Sequence, residues 1–241
     1  MIFDILTLFP DFFDSLNNFS IITRALEEQI ISINSINIRD FSKDKHKRVD
    51  DYSYGGGPGM VMTAEPIFDA LASVRTIKSK TIYLSPQGKQ LNQEIINELS
   101  KEEHLIFLCG HYEGIDDRVV SNYIDMEISI GNYVLTGGEI PALVLIDSIS
   151  RLLPGVLSKE ESFTNESHYN GLLEYPQYTR PREFMGYEVP EILLSGDHKK
   201  IEDWRLYQSI KTTLEKRPDL LDEICLNEEQ KKILKDIIDE G

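Results

Sequence analysis

Three short segments combine glycine, proline and small polar side chains in a pattern that could hold a planar ligand through main-chain atoms. They read YLSPQG (Tyr83–Gly88), CGHYEGIDDR (Cys109–Arg118) and SIGNYVLTGGEIP (Ser129–Pro141). Glycine lets another molecule approach the backbone closely because it carries no Cβ. Each segment alone is more typical of an ordinary strand-to-helix turn, but their joint occurrence favours a site that reads a purine ring through N–H and C=O groups.

A fourth segment, DDYSYGGGPGM, places two aspartates directly before a run of glycines and a proline at positions 50–60. Such a run can form a plain turn, a phosphate-binding loop or a loop that contacts a base. On its own it is most typical of a compact surface loop. Its role depends on the rest of the chain.

The chain lacks the usual motifs for phosphate-bearing cofactors. No G-x-x-x-x-G-K-[ST] is present, and the first apolar run leads into LFPDFFDS rather than into G-x-G-x-x-G. An adenine-bearing cofactor without phosphates, such as S-adenosylmethionine, remains open. Cys109 and His111 are too few for a zinc site, so no metal site is predicted.

Short apolar runs alternate with amphipathic segments along the first two thirds of the chain. MIFDILTLF, IISINSINIRD, TIYLSP, LIFLCG and MEISIG predict strands, and AEPIFDALASV and EIPALVLIDSISRLL predict helices between and after them. This alternation predicts an α/β fold with a parallel sheet. Ligands of open α/β sheets bind at the carboxyl ends of the strands, where the first three segments fall.

The alternation of apolar runs with amphipathic segments ends after residue 157. We expect an α/β domain at 1–157, a flexible linker at 158–171 and a small all-helical domain at 172–241. The formal net charge of −16 argues against nucleic acid, although basic groups occur at positions 39–48, 180–182 and 198–205. With no signal sequence, no apolar run of about 20 residues and two cysteines, the sequence indicates a cytoplasmic protein without a membrane segment.

The motifs taken together resemble one family. YGGGPGM, YLSPQG, LCGHYEGIDDR, SIGNYVLTGGE, RLLPGVL, GLLEYPQYTRP and VPEILLSGDH resemble, in order and spacing, the TrmD family of bacterial tRNA (guanine-N(1)-)-methyltransferases, from Met1 to about residue 235. The resemblance implies a SPOUT-type sheet with a trefoil knot and methyl transfer from S-adenosylmethionine to ring nitrogen 1 of guanine 37 in tRNA. It also implies a homodimer with active sites shared between chains, and magnesium dependence.

The resemblance also assigns residues. Those expected to bind the cofactor are Tyr83, Leu84, Ser85, Pro86, Gly88, Cys109, Gly110, Tyr112, Glu113, Ser129, Ile130, Gly131, Asn132, Tyr133, Val134, Leu135, Gly137, Gly138 and Pro141. Those expected to bind tRNA are Lys45, Lys47, Asp50, Gly56, Gly57, Gly59, Lys199 and Arg205.

The expected catalytic pair is Arg151 and Glu166. Ring nitrogen 1 of guanine carries a proton and becomes nucleophilic only when a base removes it. An arginine can stabilise the negative charge that then develops on the guanine O6. The family's base is an aspartate, and this chain has Glu166 at that position, one methylene longer, with Glu113 as the next candidate.

Two other functions stay open on the sequence. One is a different SPOUT RNA methyltransferase that acts on another base or RNA. The other is an RNA-binding protein that kept the cofactor pocket but lost catalysis, a reading that only the Glu166 departure supports.

Overall fold

Five parallel strands form the central sheet. In the computed structural model, which describes residues 1–18, 20–157 and 167–240, the strands up to residue 157 are β1 (Ile2–Thr7), β2 (Ser32–Asn37), β3 (Asp50–Asp51), β4 (Val61–Met62), β5 (Ser79–Gln90), β6 (His104–Cys109) and β7 (Met126–Ser129). The sheet order is β2-β1-β6-β5-β7, and all four pairings are parallel. The short strands β3 and β4 pair antiparallel to each other. The predicted α/β class with a parallel sheet is therefore confirmed.

Helices cover both faces of this sheet. They are α1 (Ser20–Glu27), α2 (Ala64–Val74), α3 (Gln93–Leu99), α4 (Asp117–Tyr123) and α5 (Glu139–Ser150), with 3₁₀ helices at Pro10–Asn18 and Ile38–Phe41. Side-chain caps start two of them: Asn92 accepts a hydrogen bond from the Ile95 N–H, and Asp116 accepts one from the Arg118 N–H, both at 3.0 Å. These caps satisfy N–H groups that have no partner inside the helix.

Alternate residues of each central strand enter different cores. Leu105 and Phe107 of β6 pack with α1, α3 and α5 on one face, whereas Ile106 and Leu108 pack with α2 and α4 on the other. A strand that is covered on both faces needs apolar residues at every position. This explains why β6 is a continuous apolar run.

Strand β5 does not end at Pro86, where the sequence predicted its end. Leu84 and Lys89 both lie opposite Ile128 of β7, so the four residues between them bulge out of the sheet before pairing resumes. The bulge returns close to the neighbouring strand at Gly88. A Cβ there would lie 2.4 Å from the Ile128 nitrogen, which leaves room only for glycine.

The chain divides into two compact units, Met1–Ser158 and Lys159–Gly241. The second contains α6 (His198–Lys216), α7 (Asp219–Glu223), α8 (Glu228–Glu240), a 3₁₀ helix at Glu191–Leu194 and a small antiparallel ladder of β8 (Glu183–Phe184) with β9 (Tyr187–Glu188). The sequence did not predict this ladder. Most of the predicted linker at 158–171 lies outside the described residues. Within the described parts of the chain, no helix is both long and apolar enough to cross a membrane.

Candidate functional site at the carboxyl edge of the sheet

The three small-residue segments converge at the carboxyl ends of β5, β6 and β7, where they enclose a cavity of about 280 Å³. Register explains the convergence, because Leu84 lies opposite both Cys109 and Ile128 at the same edge of the sheet. The predicted cofactor residues that line the cavity are Tyr83, Leu84, Ser85, Pro86, Gly110, Tyr112, Glu113, Ser129, Ile130, Gly131, Tyr133, Val134, Leu135, Gly137 and Pro141.

Four other predicted cofactor residues lie outside this lining: Gly88, Cys109, Asn132 and Gly138. Gly88 and Gly138 are packing positions, since a Cβ on Gly138 would lie 2.7 Å from the Cys109 Cα. The Cys109 side chain is fully buried, and burial together with the Glu139 charge raises its pKa well above the usual thiol range.

The sequence prediction omitted five residues that do line the cavity: Gln87, His111, Gly114, Ile128 and Thr136. All but one fall inside the three segments, and Ile128 immediately precedes the third. Their position in or next to these segments was therefore the signal in the sequence that could have identified them as lining residues. His111 had been considered only as a metal ligand.

The described lining carries no lysine or arginine side chain. Among the described residues around the cavity none is lysine or arginine, whereas Glu113 lines it and Glu139 lies buried behind it. Burial raises the pKa of Tyr83 to about 12, the nearby Glu127 charge adds to this, and a hydrogen bond from the Ile115 backbone opposes it. The cavity can thus accept a neutral or cationic molecule and offers no counter-charge to phosphates.

A buried carboxylate joins three elements beside the cavity. The Thr7 hydroxyl, at the end of β1, donates to Glu139 Oε1 at 2.6 Å. His111, just after β6, has its Nε2 2.9 and 2.8 Å from the two carboxylate oxygens. Glu139 is the first residue of α5, so a single side chain connects β1, β6 and α5.

The glycine loop at 54–59 lies next to residues that line the same cavity, and backbone hydrogen bonds connect the two segments. The Glu113 N–H donates to the Met60 carbonyl and the Met62 N–H to the Gly114 carbonyl, each at 3.0 Å. Gly59 has a φ of +82°, and a Cβ there would lie 2.5 Å from the Glu113 Cγ. The loop that was predicted to contact RNA therefore lies directly against a cavity-lining residue.

The predicted RNA-binding glycines and aspartate lie in or beside this loop. Gly56 and Gly57 have φ values of +77° and +130°, in the left-handed region that favours glycine. Asp50 lies in β3, opposite Met62.

The basic arm before this loop is largely neutralised by its own acids. Lys47 pairs with Asp40 at 2.5 Å, and Arg48 pairs with Asp44 at 3.0 Å. The hydrogen bond from Arg48 is the main cause that lowers the pKa of Asp44 to about 2. Lys45 is exposed and forms no ion pair with any residue in the described ranges.

The second unit carries the other two predicted RNA contacts. Lys199 is exposed near the start of α6. The Arg205 guanidinium lies over the Tyr175 ring, 4.9 Å from its centroid.

Arg151 lies at the far end of α5 from the cavity. The 12 residues of α5 begin at Glu139 beside the cavity and extend roughly 18 Å at 1.5 Å per residue. The segment after Arg151 packs near the amino edge of the sheet, since a Cβ on Gly155 would lie 3.2 Å from Ile30, whose carbonyl accepts a hydrogen bond from the Met1 amino group just before β1. Arg151 of one chain is therefore remote from the cavity of the same chain. Glu166 lies outside the described residues.

The chain is similar to known proteins along nearly its whole length. A family model described as tRNA (Guanine-1)-methyltransferase TrmD matches residues 1–223. A tRNA (guanine-N(1)-)-methyltransferase of Ruminiclostridium cellulolyticum is 60% identical over 227 residues, which cover 93% of this chain and 97% of the relative. Proteins of the same name from Clostridium tetani and Clostridium botulinum are each 58% identical, covering 96% and 97% of this chain and the same shares of their own lengths.

Proposed function

Because this chain belongs to the tRNA (guanine-1)-methyltransferase TrmD family, we propose that it transfers a methyl group from S-adenosylmethionine to ring nitrogen 1 of guanine 37 in tRNA. The reaction class, methylation of tRNA guanine at nitrogen 1, follows from family membership. The cofactor, the position in tRNA and the catalytic residues are the finer part of the proposal. The observation that carries them is the cavity at the carboxyl edge of the sheet.

The cavity suits S-adenosylmethionine on chemical grounds. This cofactor supplies an electrophilic methyl group on a sulfonium and carries no phosphate. The lining contributes main-chain groups of Gly110, Gly131 and Gly137 and an acidic side chain at Glu113, and none of its described residues is lysine or arginine. Such a surface favours a cationic ligand and offers a phosphate no lysine or arginine as a counter-charge.

We assign the proton transfer to a carboxylate and the charge stabilisation to an arginine. Glu166 would accept the proton from ring nitrogen 1, which is the role of a general base. The Arg151 guanidinium would stabilise the negative charge that develops on O6. If Glu166 does not act as the base, Glu113 on the cavity wall is the next candidate.

The position of Arg151 supports a dimer with shared active sites. An arginine side chain cannot bridge the roughly 18 Å of α5 that separate Arg151 from its own cavity. A catalytic role for Arg151 therefore requires that it reach the cavity of a second copy. The exposed apolar side chains of α5, Ile140 and Val144, are available to such a contact.

The remaining features of the proposal concern architecture and surroundings. We infer a trefoil knot around the cavity, a C-terminal helical domain that holds tRNA, a linker at 158–171 between the domains, and a cytoplasmic location, where tRNA is found. Among the described residues no group of three or more His, Cys, Asp or Glu side chains is arranged to hold a metal ion, and no step is assigned to magnesium.

Labelled-methyl transfer tests the function. Wild-type protein is incubated with labelled S-adenosylmethionine and a tRNA transcript that carries guanine at position 37, or adenine there as the control. Transfer that requires the guanine supports the proposal. Transfer to the adenine transcript would instead indicate another RNA methyltransferase, and cofactor binding without any transfer would indicate a non-catalytic RNA-binding protein.

Subunit mixing tests the shared site. An Arg151→Ala chain and a chain with a blocked cavity, Gly131→Val, are each expected to be inactive. Gly131 has a φ of +157°, and a Cβ there would lie 2.4 Å from the Tyr133 ring. If active sites combine both chains, mixed dimers regain one working site, whereas restored activity should not occur if Arg151 serves its own cavity.

A further inference from the structure

We propose that His111 contacts the bound cofactor through its Nδ1 atom and that Glu139 is the positioning residue that fixes the tautomer of this ring. The inference rests on the proposed function, because it takes S-adenosylmethionine as the occupant of the cavity. It concerns a buried group that neither the sequence motifs nor the family name assigns.

The hydrogen bonds determine which nitrogen of His111 carries the proton. An ionised carboxylate accepts hydrogen bonds and cannot donate them. Glu139 already accepts from the Thr7 hydroxyl, and its two oxygens lie 2.9 and 2.8 Å from His111 Nε2, so Nε2 must be the donor. In the neutral ring, Nδ1 is then an acceptor.

The charged state of Glu139 is supported by its position. It is the first residue of α5, where the helix dipole favours negative charge. The Thr7 hydroxyl and His111 Nε2 both lie within hydrogen-bonding distance of this buried carboxylate. The carboxylate therefore has the donors that a buried charge requires.

Neighbouring groups hold the His111 ring in place. A Cβ on Gly137 would lie 2.3 Å from the ring Cε1, so only glycine at this position leaves space for the imidazole. The Phe9 ring packs edge-on at a centroid distance of 4.9 Å. The ring lines the cavity with 14% of its side chain exposed, and Nδ1 makes no hydrogen bond to any part of the chain that is described.

Because Nδ1 is a hydrogen-bond acceptor, the group of the cofactor that contacts it must be a hydrogen-bond donor. Nδ1 of the neutral ring can bond only to a donor, and S-adenosylmethionine offers its ribose hydroxyls, the adenine amino group and an ammonium group. All three belong to the same cofactor, and 5′-methylthioadenosine separates the ammonium from the other two because it keeps the ribose and the adenine but lacks the ammonium. The network thus couples the end of β1 to cofactor binding through one carboxylate.

The first test inverts the tautomer without changing the shape of the network. In Glu139→Gln the amide oxygen can still accept from Thr7, while the NH₂ at the position of Oε2, 2.8 Å from His111 Nε2, can donate to that nitrogen and favours the ring proton on Nδ1. Cofactor affinity, measured by calorimetry, is expected to fall about 10-fold, as for one hydrogen bond whose acceptor becomes a donor. Long-range ¹H–¹⁵N spectra should show the His111 proton moving from Nε2 to Nδ1.

The second test uses two replacements of His111 that keep opposite ends of the ring. Asparagine places an amide near the position of Nδ1, and glutamine places one near the position of Nε2. We expect His111→Asn to bind the cofactor more tightly than His111→Gln, even if His111→Gln retains the contact with Glu139 and is the more stable protein.

A second buried histidine–carboxylate pair among the described residues provides a matched control. His104, at the opposite end of β6, lies 2.8 Å from Asp4 Oδ2 with both side chains buried. His104→Gln should lower the melting temperature but leave the cofactor affinity unchanged. This variant shows what loss of a purely structural pair does.

The outcomes separate the inference from the proposed function. If wild-type protein fails to bind S-adenosylmethionine, the proposed cofactor is wrong and the inference falls with it. If wild type binds but Glu139→Gln binds equally well, or His111→Gln binds as tightly as His111→Asn, the inference alone is wrong. A 10-fold loss that persists with 5′-methylthioadenosine supports a donor on the nucleoside, either a ribose hydroxyl or the adenine amino group, and a loss confined to S-adenosylmethionine supports the ammonium.

Discussion

Replacing Gly59 by alanine tests whether a change in the glycine loop displaces a side chain that lines the cofactor cavity. Gly59 has a φ of +82°, where a residue with a Cβ costs about 1–2 kcal/mol. The added Cβ would also lie 2.5 Å from the Glu113 Cγ and 2.6 Å from its Oε1. To regain the ordinary contact distance of 3.4 Å, the Glu113 side chain must withdraw by about 0.9 Å.

Gly56 provides the matched control for backbone strain. Its φ is +77°, close to that of Gly59, but no atom lies within 4 Å of the position of its Cβ. Both alanine variants should therefore lose similar stability, and about 1 kcal/mol corresponds to a fall of roughly 2–4 °C in Tm for a domain of this size. Only Gly59→Ala should disturb the cavity, because only there does the new methyl group meet Glu113.

The expected catalytic effect follows from the displacement. A misplacement of about 1 Å in a positioned site can cost as much as about 100-fold, so we expect roughly 10- to 100-fold lower kcat/KM in Gly59→Ala. Cofactor affinity by calorimetry, melting temperature and methyl transfer are measured for both variants. Equal cofactor affinity in the two variants would refute the reasoning, since backbone strain alone would then account for everything.

Three further predictions concern the base, the RNA-binding arm and a buried phenol. Glu166→Gln should abolish methyl transfer while Glu166→Asp retains it, and transfer that survives in Glu166→Gln would move the base to another carboxylate. Lys45→Ala should weaken tRNA binding and reduce the salt slope by about 1, with a smaller effect for Lys47→Ala, whose charge is already paired; equal slopes would contradict this. Burial raises the pKa of Tyr83 to about 12, so the contribution of its neutral phenol to stability is complete below pH 10 and is lost as pH rises toward 12. The free energies of unfolding of wild type and Tyr83→Phe, measured by denaturant titration, should therefore diverge between pH 10 and pH 12. Parallel pH dependences of the two proteins would disprove the assignment.

Sequence alone determined the family, the sheet and the location of the cavity. Apolar runs such as that of β6 identify strands, and parallel strands necessarily bring their carboxyl ends to one edge. The segments expected at this edge do line the cavity, whereas the fifteen individual cofactor residues found in its lining were assigned through the family resemblance. The assignment of the family, supported by several motifs in order, is confirmed by the match to residues 1–223.

Tertiary structure alone decided which residues of those segments face the cavity and what lies behind them. Thr7 and Glu139 are separated by 132 positions, and no periodicity links a strand end to a helix start across that distance. The same holds for the bulge in β5, whose exit is set by pairing with β7 rather than by Pro86. The remoteness of Arg151 from its own cavity also required the direction of α5. Patterns such as apolar periodicity depend on residues that are close together in the sequence. These contacts depend instead on how distant segments pack, and such packing produces no regular spacing of residue types in the sequence.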